Sequence, residues 1–108
     1  MRSNRGNCYS IPDLLRLLRK RRGDRVQLDV GLPPAVTIKG EVFEIEGPAV
    51  EAGSIEEMLR DVADTRHMRI FRESGAVDIV VPFAGAKFLI HAVRAGGEFG
   101  MELRTLPM

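Results

Sequence analysis

The chain begins its regular pattern with apolar residues at helical spacing. Four of them stand at i, i+3, i+4 and i+7, which predicts an amphipathic helix with one buried stripe. Ser10 stands at the expected N-cap, Pro12 falls in the first turn, and Gly23 is expected to end the helix. The four apolar positions are Ile11, Leu14, Leu15 and Leu18.

Alternation of apolar and polar residues then predicts three strands. The first is residues 26–30, and residues 35–38 and 41–45 follow as a hairpin across Lys39 and Gly40. Gly40 supplies the positive φ that a tight hairpin turn requires. Pro33 and Pro34 precede the hairpin and mark a break between strands, because proline cannot donate to a sheet ladder.

The second half of the chain predicts two helices and three more strands. Ser54, with a glutamate three residues later, predicts a capped helix, and a third helix over residues 65–74 is expected to stop at Gly75. Residues 76–82, 87–94 and 99–106 predict strands of an antiparallel sheet. The order helix, three strands, two helices, three strands predicts an α+β fold with about six strands.

The composition is typical of one globular domain. The chain has 108 residues, of which 44% are apolar and 29% charged. We expect a flexible N-terminal segment over residues 1–9 and a single domain over residues 10–108. Cys8 is the only cysteine, and the sequence contains neither a signal-peptide pattern nor an apolar run long enough to span a membrane. These features predict a cytoplasmic protein without membrane insertion.

Charge is distributed unevenly although the net charge is only +1. Six basic residues lie between Arg16 and Arg25, and seven acidic residues lie between Glu41 and Asp61. The basic run is the expected site for an acidic protein partner. The residues expected to make that contact are Arg19, Arg21, Arg22 and Arg25.

The sequence contains no recognisable reaction centre. It lacks the phosphate-binding loop of nucleotide hydrolases, and His67 and His91 lie on different predicted elements with no cysteine or further histidine clustered beside either. No cofactor, metal or enzymatic activity is therefore expected. Arg21 and Arg25 have the R-x-x-x-R spacing of some cyclic diguanylate receptors, but the companion motif is missing. Binding of nucleic acid is not expected, because no aromatic residue accompanies the basic run.

Several phrases resemble the N-terminal domain of type IV pilus retraction ATPases, the twitching-motility family. The phrase "DRVQLDVGLPPAVTIKGEV" is similar to that family's glycine and diproline segment, and "RIFRESGAVDIVV" and "FLIHAVRAGGEFGMELRTLP" resemble two later segments. The likeness covers residues 10–108. The matching residues are Gly31, Leu32, Pro33, Pro34, Gly40, Phe71, Gly75, Asp78, Phe88, Arg94, Leu103, Arg104 and Pro107.

The resemblance implies a PAS-like domain that precedes a RecA-type motor domain, helps to build a hexameric ring and packs on a neighbouring motor. Gly31, Pro33, Pro34 and Gly40 are expected to be structural. The family's polar residues are replaced here, with Thr37 for its arginine and His91 for its asparagine. The chain is either an excised domain or a free-standing relative, and these replacements together with Met1 favour the second.

Two functions remain open at this point. The first is a non-catalytic protein-interaction or oligomerisation module that is accessory or regulatory to a motility or secretion ATPase, and that is a monomer or weak homo-oligomer in isolation. The second is a PAS-like domain that senses a small ligand such as a cyclic dinucleotide.

Overall fold

A computed structural model describes residues 9–107 of the chain. The three helices are α1 (Ile11–Arg21), α2 (Ala52–Val62) and α3 (Thr65–Ser74). The six strands are β1 (Arg25–Asp29), β2 (Ala35–Ile38), β3 (Glu41–Glu44), β4 (Ala76–Phe83), β5 (Ala86–Ala95) and β6 (Glu98–Thr105). The predicted α+β fold and element order are therefore confirmed. The predicted flexible segment lies outside the described residues except for Tyr9, whose hydroxyl donates to the Pro48 carbonyl at 2.6 Å.

The strands form one antiparallel sheet in the order β3-β2-β1-β6-β5-β4. Residues directly opposite one another on neighbouring strands have their side chains on the same face of the sheet. One row of such residues across the strands therefore shows which face is covered by the helices. That row is buried on five strands and joins the apolar sides of all three helices in one core. It consists of Val36, Val26, Leu103, Ile90 and Ile79. The opposite face carries exposed polar residues such as Gln27 and Asp78.

Helix α1 begins as the sequence predicts but ends one residue earlier. The Ser10 hydroxyl accepts a hydrogen bond from the Asp13 amide at 3.3 Å. At the other end, Arg22 and not Gly23 takes the left-handed conformation, with φ 53° and ψ 43°. The Arg22 amide donates to Arg19 and the Gly23 amide to Leu18, which is the Schellman pattern.

Gly23 is needed for a different reason. A Cβ atom at Gly23 would lie 2.8 Å from a methyl group of Val36 and 3.1 Å from one of Leu18. The glycine therefore allows the backbone to pass close to the core as it enters β1. The left-handed conformation is adopted by the preceding residue, Arg22.

The predicted N-cap at Ser54 is wrong. Helix α2 begins at Ala52, its N-cap is Glu51, and Ser54 is buried inside the first turn. The backbone before the helix is fixed by a bridge between Val30 and Val50, so the chain turns into the helix as soon as it leaves that bridge. Sequence alone does not reveal this long-range pairing.

The two prolines lie in the connection between β1 and β2. Other backbone groups of this connection form its hydrogen bonds to the rest of the fold, so the missing N–H groups of the prolines cost none of them. The Gly31 amide donates to the Val50 carbonyl, and the Val50 amide donates to the Leu32 carbonyl, both at 2.9 Å. The Pro34 carbonyl accepts from the Ile45 amide at 2.7 Å. Gly31 has φ 94° and stands in the turn after β1. Proline thus stiffens a segment in which it removes none of these bonds.

The predicted hairpin turn is confirmed. Ile38 and Glu41 face each other across Lys39 and Gly40, which have φ of 52° and 82°. Positive φ at both central residues matches the right-handed twist of the flanking strands.

Helix α3 has the predicted bounds and a reciprocal cap. The Asp64 carboxylate accepts from the His67 amide at 2.8 Å, and the Asp64 amide donates to Nδ1 of the His67 ring at 3.2 Å. The hydrogen bond from the His67 amide is the main reason that the pKa of Asp64 is lowered from its ordinary value.

Over residues 9–107, none of the helices is both long enough and apolar enough to span a bilayer.

Candidate partner-binding site

One end of the sheet collects basic side chains from separate elements. The antiparallel register brings together at this end the turn between β2 and β3, the start of β1, the end of β6 and the turn between β4 and β5. The last turn of α1 also reaches this end. We call this surface the basic end, and its residues are Arg19, Arg21, Arg22, Arg25, Lys39, Lys87 and Arg104.

The end of α1 is attached to the sheet by Arg19. Its guanidinium donates to the Ala84 carbonyl in the turn between β4 and β5, at 2.5 Å. Arg21 and Arg22 are exposed, and neither side chain forms a hydrogen bond or ion pair with any residue of the described range. Their guanidinium groups keep all their donors available to a partner.

Two adjoining hollows lie at the basic end. The larger, of about 450 Å³, lies between α1 and the turn between β4 and β5, with Arg19 and Arg22 in its lining and Phe88 beneath. The smaller, of about 310 Å³, is lined by Arg25 and Arg104 together with the acidic residue Asp24. Both hollows include Gly23 and Thr105, so they form one continuous surface.

The four arginines predicted from the sequence are not equivalent. Arg25 makes an ion pair with Glu102 at 3.3 Å, so its charge is partly balanced within the chain. Arg21 lines neither of the two hollows. The R-x-x-x-R pair, Arg21 and Arg25, therefore does not converge on either hollow.

Lys39, Lys87 and Arg104 lie at the basic end although the sequence does not predict them as binding residues, and Arg104 lines a hollow. Arg104 lies 79 positions beyond Arg25 in the chain, and the two stand directly opposite in the β1–β6 pair. Only the strand order brings them together, and no local pattern indicates it. Arg104 also approaches Glu102, at 3.9 Å.

The uncovered face of the sheet carries a second polar cluster. His91 contacts the Asp78 carboxylate directly across the β4–β5 pair, so this histidine is not isolated as its sequence position suggests. Nearby, a hollow of about 200 Å³ lies over Gly100 and is lined by Gln27, Asp29 and Glu102 among others. Within the described part of the chain, no three histidine, cysteine or acidic residues come together as a metal site would require.

No family model matches the chain. The type IV pilus retraction ATPase PilT of Pseudomonas aeruginosa is 26% identical over 98 residues, which cover 90% of this chain but 28% of that protein. The chain thus spans little more than a quarter of this relative.

Solved structures share the fold. The pilus retraction motor PilT with bound ADP superposes with a TM-score of 0.80 and 23% identity, over 92% of this chain and 29% of that one. The ATPase DotB of Legionella pneumophila gives a TM-score of 0.77 and 12% identity, over 100% of this chain and 32% of that one.

The relationship that the glycine and diproline phrase predicts is therefore confirmed. The chain is homologous to the type IV pilus retraction ATPase PilT and has the fold of the N-terminal region of the PilT and DotB ATPases.

Proposed function

We propose that this chain is a non-catalytic interaction module, accessory or regulatory to a motility or secretion ATPase, and that it acts in the cytoplasm. The homology to PilT supports the link to such an ATPase. The part of PilT that this chain does not span amounts to nearly three quarters of that protein, and we assign nucleotide hydrolysis to that remainder. Absence of a phosphate-binding loop from the sequence supports the same division.

The observation that carries the proposal is the basic end. Guanidinium groups from α1, β1 and β6 gather around two adjoining hollows, and the guanidinium groups of Arg21 and Arg22 bond to no described residue. Such a surface attracts a partner with an acidic patch, both by steering the encounter and by charge pairing. Each exposed pair contributes at most about 1 kcal/mol and is screened by salt, so several must act together.

Charge reversal tests the proposal. The chain carrying Arg21→Glu and Arg22→Glu is compared with the parent in a pull-down with a purified type IV pilus retraction ATPase. We expect binding to weaken at least tenfold, which corresponds to about 1.4 kcal/mol. The melting temperature should fall only slightly, because neither side chain bonds to the described fold and the cost is limited to two carboxylates near the negative end of the α1 dipole.

A matched control reverses two exposed arginines elsewhere. Arg66→Glu with Arg69→Glu changes the net charge by the same amount on α3. Equal loss of binding in both double variants would mean that overall charge and not the basic end governs binding.

The second candidate is a ligand-sensing domain, and the same hollows favour it. Arginines at the rim of a hollow can bind the phosphates of a cyclic dinucleotide. If that ligand binds the folded chain and not the unfolded chain, the melting temperature of the chain should rise as the ligand concentration is raised. A rise with cyclic diguanylate that disappears in Arg22→Glu would support the ligand-sensing function over the interaction module.

A further inference from the structure

Strand β3 leaves one side of its backbone open. It is an edge of the sheet, paired with β2, and all four of its residues are exposed. An exposed edge presents unpaired amide and carbonyl groups to which another extended segment can add.

The hairpin fixes which backbone groups point outward. In a two-residue hairpin the residues that flank the turn, here Ile38 and Glu41, exchange both hydrogen bonds, and bonded and non-bonded pairs then alternate. Phe43 therefore bonds to β2, and the observed bond from the Ile45 amide to the Pro34 carbonyl continues the same alternation. The amides and carbonyls of Val42 and Glu44 consequently point away from β2, toward the open edge.

The side chains at this edge are apolar in the middle and acidic around it. Val42 is 64% exposed on the uncovered face of the sheet, and Phe43 is 40% exposed on the face that carries the helices. Glutamates at positions 41, 44 and 46 surround this pair, with Lys39 as the only nearby cation of the hairpin. The edge thus combines apolar contact on both faces with negative charge.

We propose that β3 is a docking edge for an extended segment of a partner protein, in which apolar residues are flanked by lysine or arginine. The segment adds to the sheet as a seventh strand beyond β3. Backbone hydrogen bonds to Val42 and Glu44 hold it in register, and its basic residues pair with Glu41 and Glu44. The edge adjoins the basic end at the turn formed by Lys39 and Gly40, but its glutamates give it the opposite charge, so it takes a basic segment.

A second copy of the chain is a poorer occupant. Two β3 edges would bring the same three glutamates from each copy to one seam, and like charges that meet across a strand pair destabilise it. The glutamates therefore act against self-association while they favour a basic segment.

The experiment uses the whole chain and a capped synthetic peptide of sequence KTVTVTR. Amide hydrogen exchange is followed residue by residue by NMR with millimolar peptide. We expect exchange at Val42 and Glu44 to slow about tenfold, because these amides gain partners. The amides of Glu41 and Phe43 already bond to β2 and should change little. Unchanged exchange at Val42 and Glu44 would overturn the proposal.

Two variants separate backbone pairing from charge. Val42→Pro removes an outward-facing amide without removing a bond to β2, and it should abolish peptide binding, whereas Val42→Thr keeps the amide and should retain it. Glu41→Lys with Glu44→Lys should lose KTVTVTR and gain the peptide ETVTVTE. Full binding of KTVTVTR by both the proline and the double-lysine variants would place the peptide elsewhere. Dimerisation of the parent that Val42→Pro abolishes would show that a second copy occupies the edge, and would contradict the proposal.

Discussion

Arg22 occupies a backbone position that suits glycine, and replacing it gives a sharp test of the end of α1. The residue has φ 53° and ψ 43° at the left-handed position of a Schellman motif. Most non-glycine residues meet steric repulsion there. Its guanidinium bonds to no described residue, so the fold gains no side-chain hydrogen bond or ion pair from this position.

The expected effect of Arg22→Gly follows from two opposing terms. Relief of the left-handed conformation stabilises the fold by about 1–2 kcal/mol. The greater freedom of glycine in the unfolded chain costs about 0.5–1 kcal/mol. At the midpoints of these two ranges the net gain is roughly 0.75 kcal/mol in the free energy of unfolding, or roughly 3–6 °C in melting temperature for a domain of this size.

Urea denaturation and thermal unfolding measure this effect, with Arg22→Ala as the matched control. Alanine removes the same guanidinium but keeps the steric cost, so its stability should stay near that of the parent. A glycine variant that is no more stable than the alanine variant would refute the strain argument. Under the proposed function, the glycine variant should also bind the partner more weakly while it unfolds at higher temperature.

The remaining predictions concern packing, the helix cap and catalysis. Pro33→Ala with Pro34→Ala should lower the free energy of unfolding by about 1 kcal/mol in urea denaturation and leave partner binding intact. Unchanged stability with lost binding would contradict the structural role of the two prolines. Gly23→Ala should cost roughly 1–3 kcal/mol because its Cβ would crowd Val36, and an unchanged melting temperature would contradict the packing argument. The pKa of Asp64 is lowered in the fold, so its contribution to stability is present above its ordinary pKa and is lost as pH falls through the lowered one. Thermal unfolding followed by circular dichroism should show this loss of stability at acid pH in the parent and a smaller loss in Asp64→Asn. Identical dependence of stability on pH in the two chains would argue against the cap. The purified chain should not hydrolyse ATP, and turnover that changed with point mutations in this chain would contradict the non-catalytic function.

Most of the fold follows from local patterns because each element has its own boundary signal. The stripe of α1 after Ser10 and the glycine after α3 fix helix bounds within the chain segment itself. The turn at Lys39 and Gly40 likewise sets the hairpin register from two residues. Sequence reasoning fails at Ser54, where a bridge formed by Val30 and Val50 overrides the local capping pattern.

The candidate site is predictable only in part. The basic run of α1 is visible in the sequence, but the contribution of Arg104 depends on pairing between the first and the last strands. The open edge at β3 is hidden for the same reason, since the hairpin pattern alone does not say whether a third strand flanks it. Gly23 shows a subtler limit: the sequence identifies a glycine at the helix end, but its cause is close packing and not a left-handed turn.

The central claim is tested most directly by mapping the contact on the chain itself. Amide NMR signals of the isotope-labelled chain are recorded as a purified type IV pilus retraction ATPase is added. If the basic end binds the ATPase, signals should be lost at the end of α1, the start of β1 and the turn between β4 and β5, and should return when salt is raised. Signals that stay unchanged at saturating ATPase, or losses confined to residues far from the basic end, would contradict it.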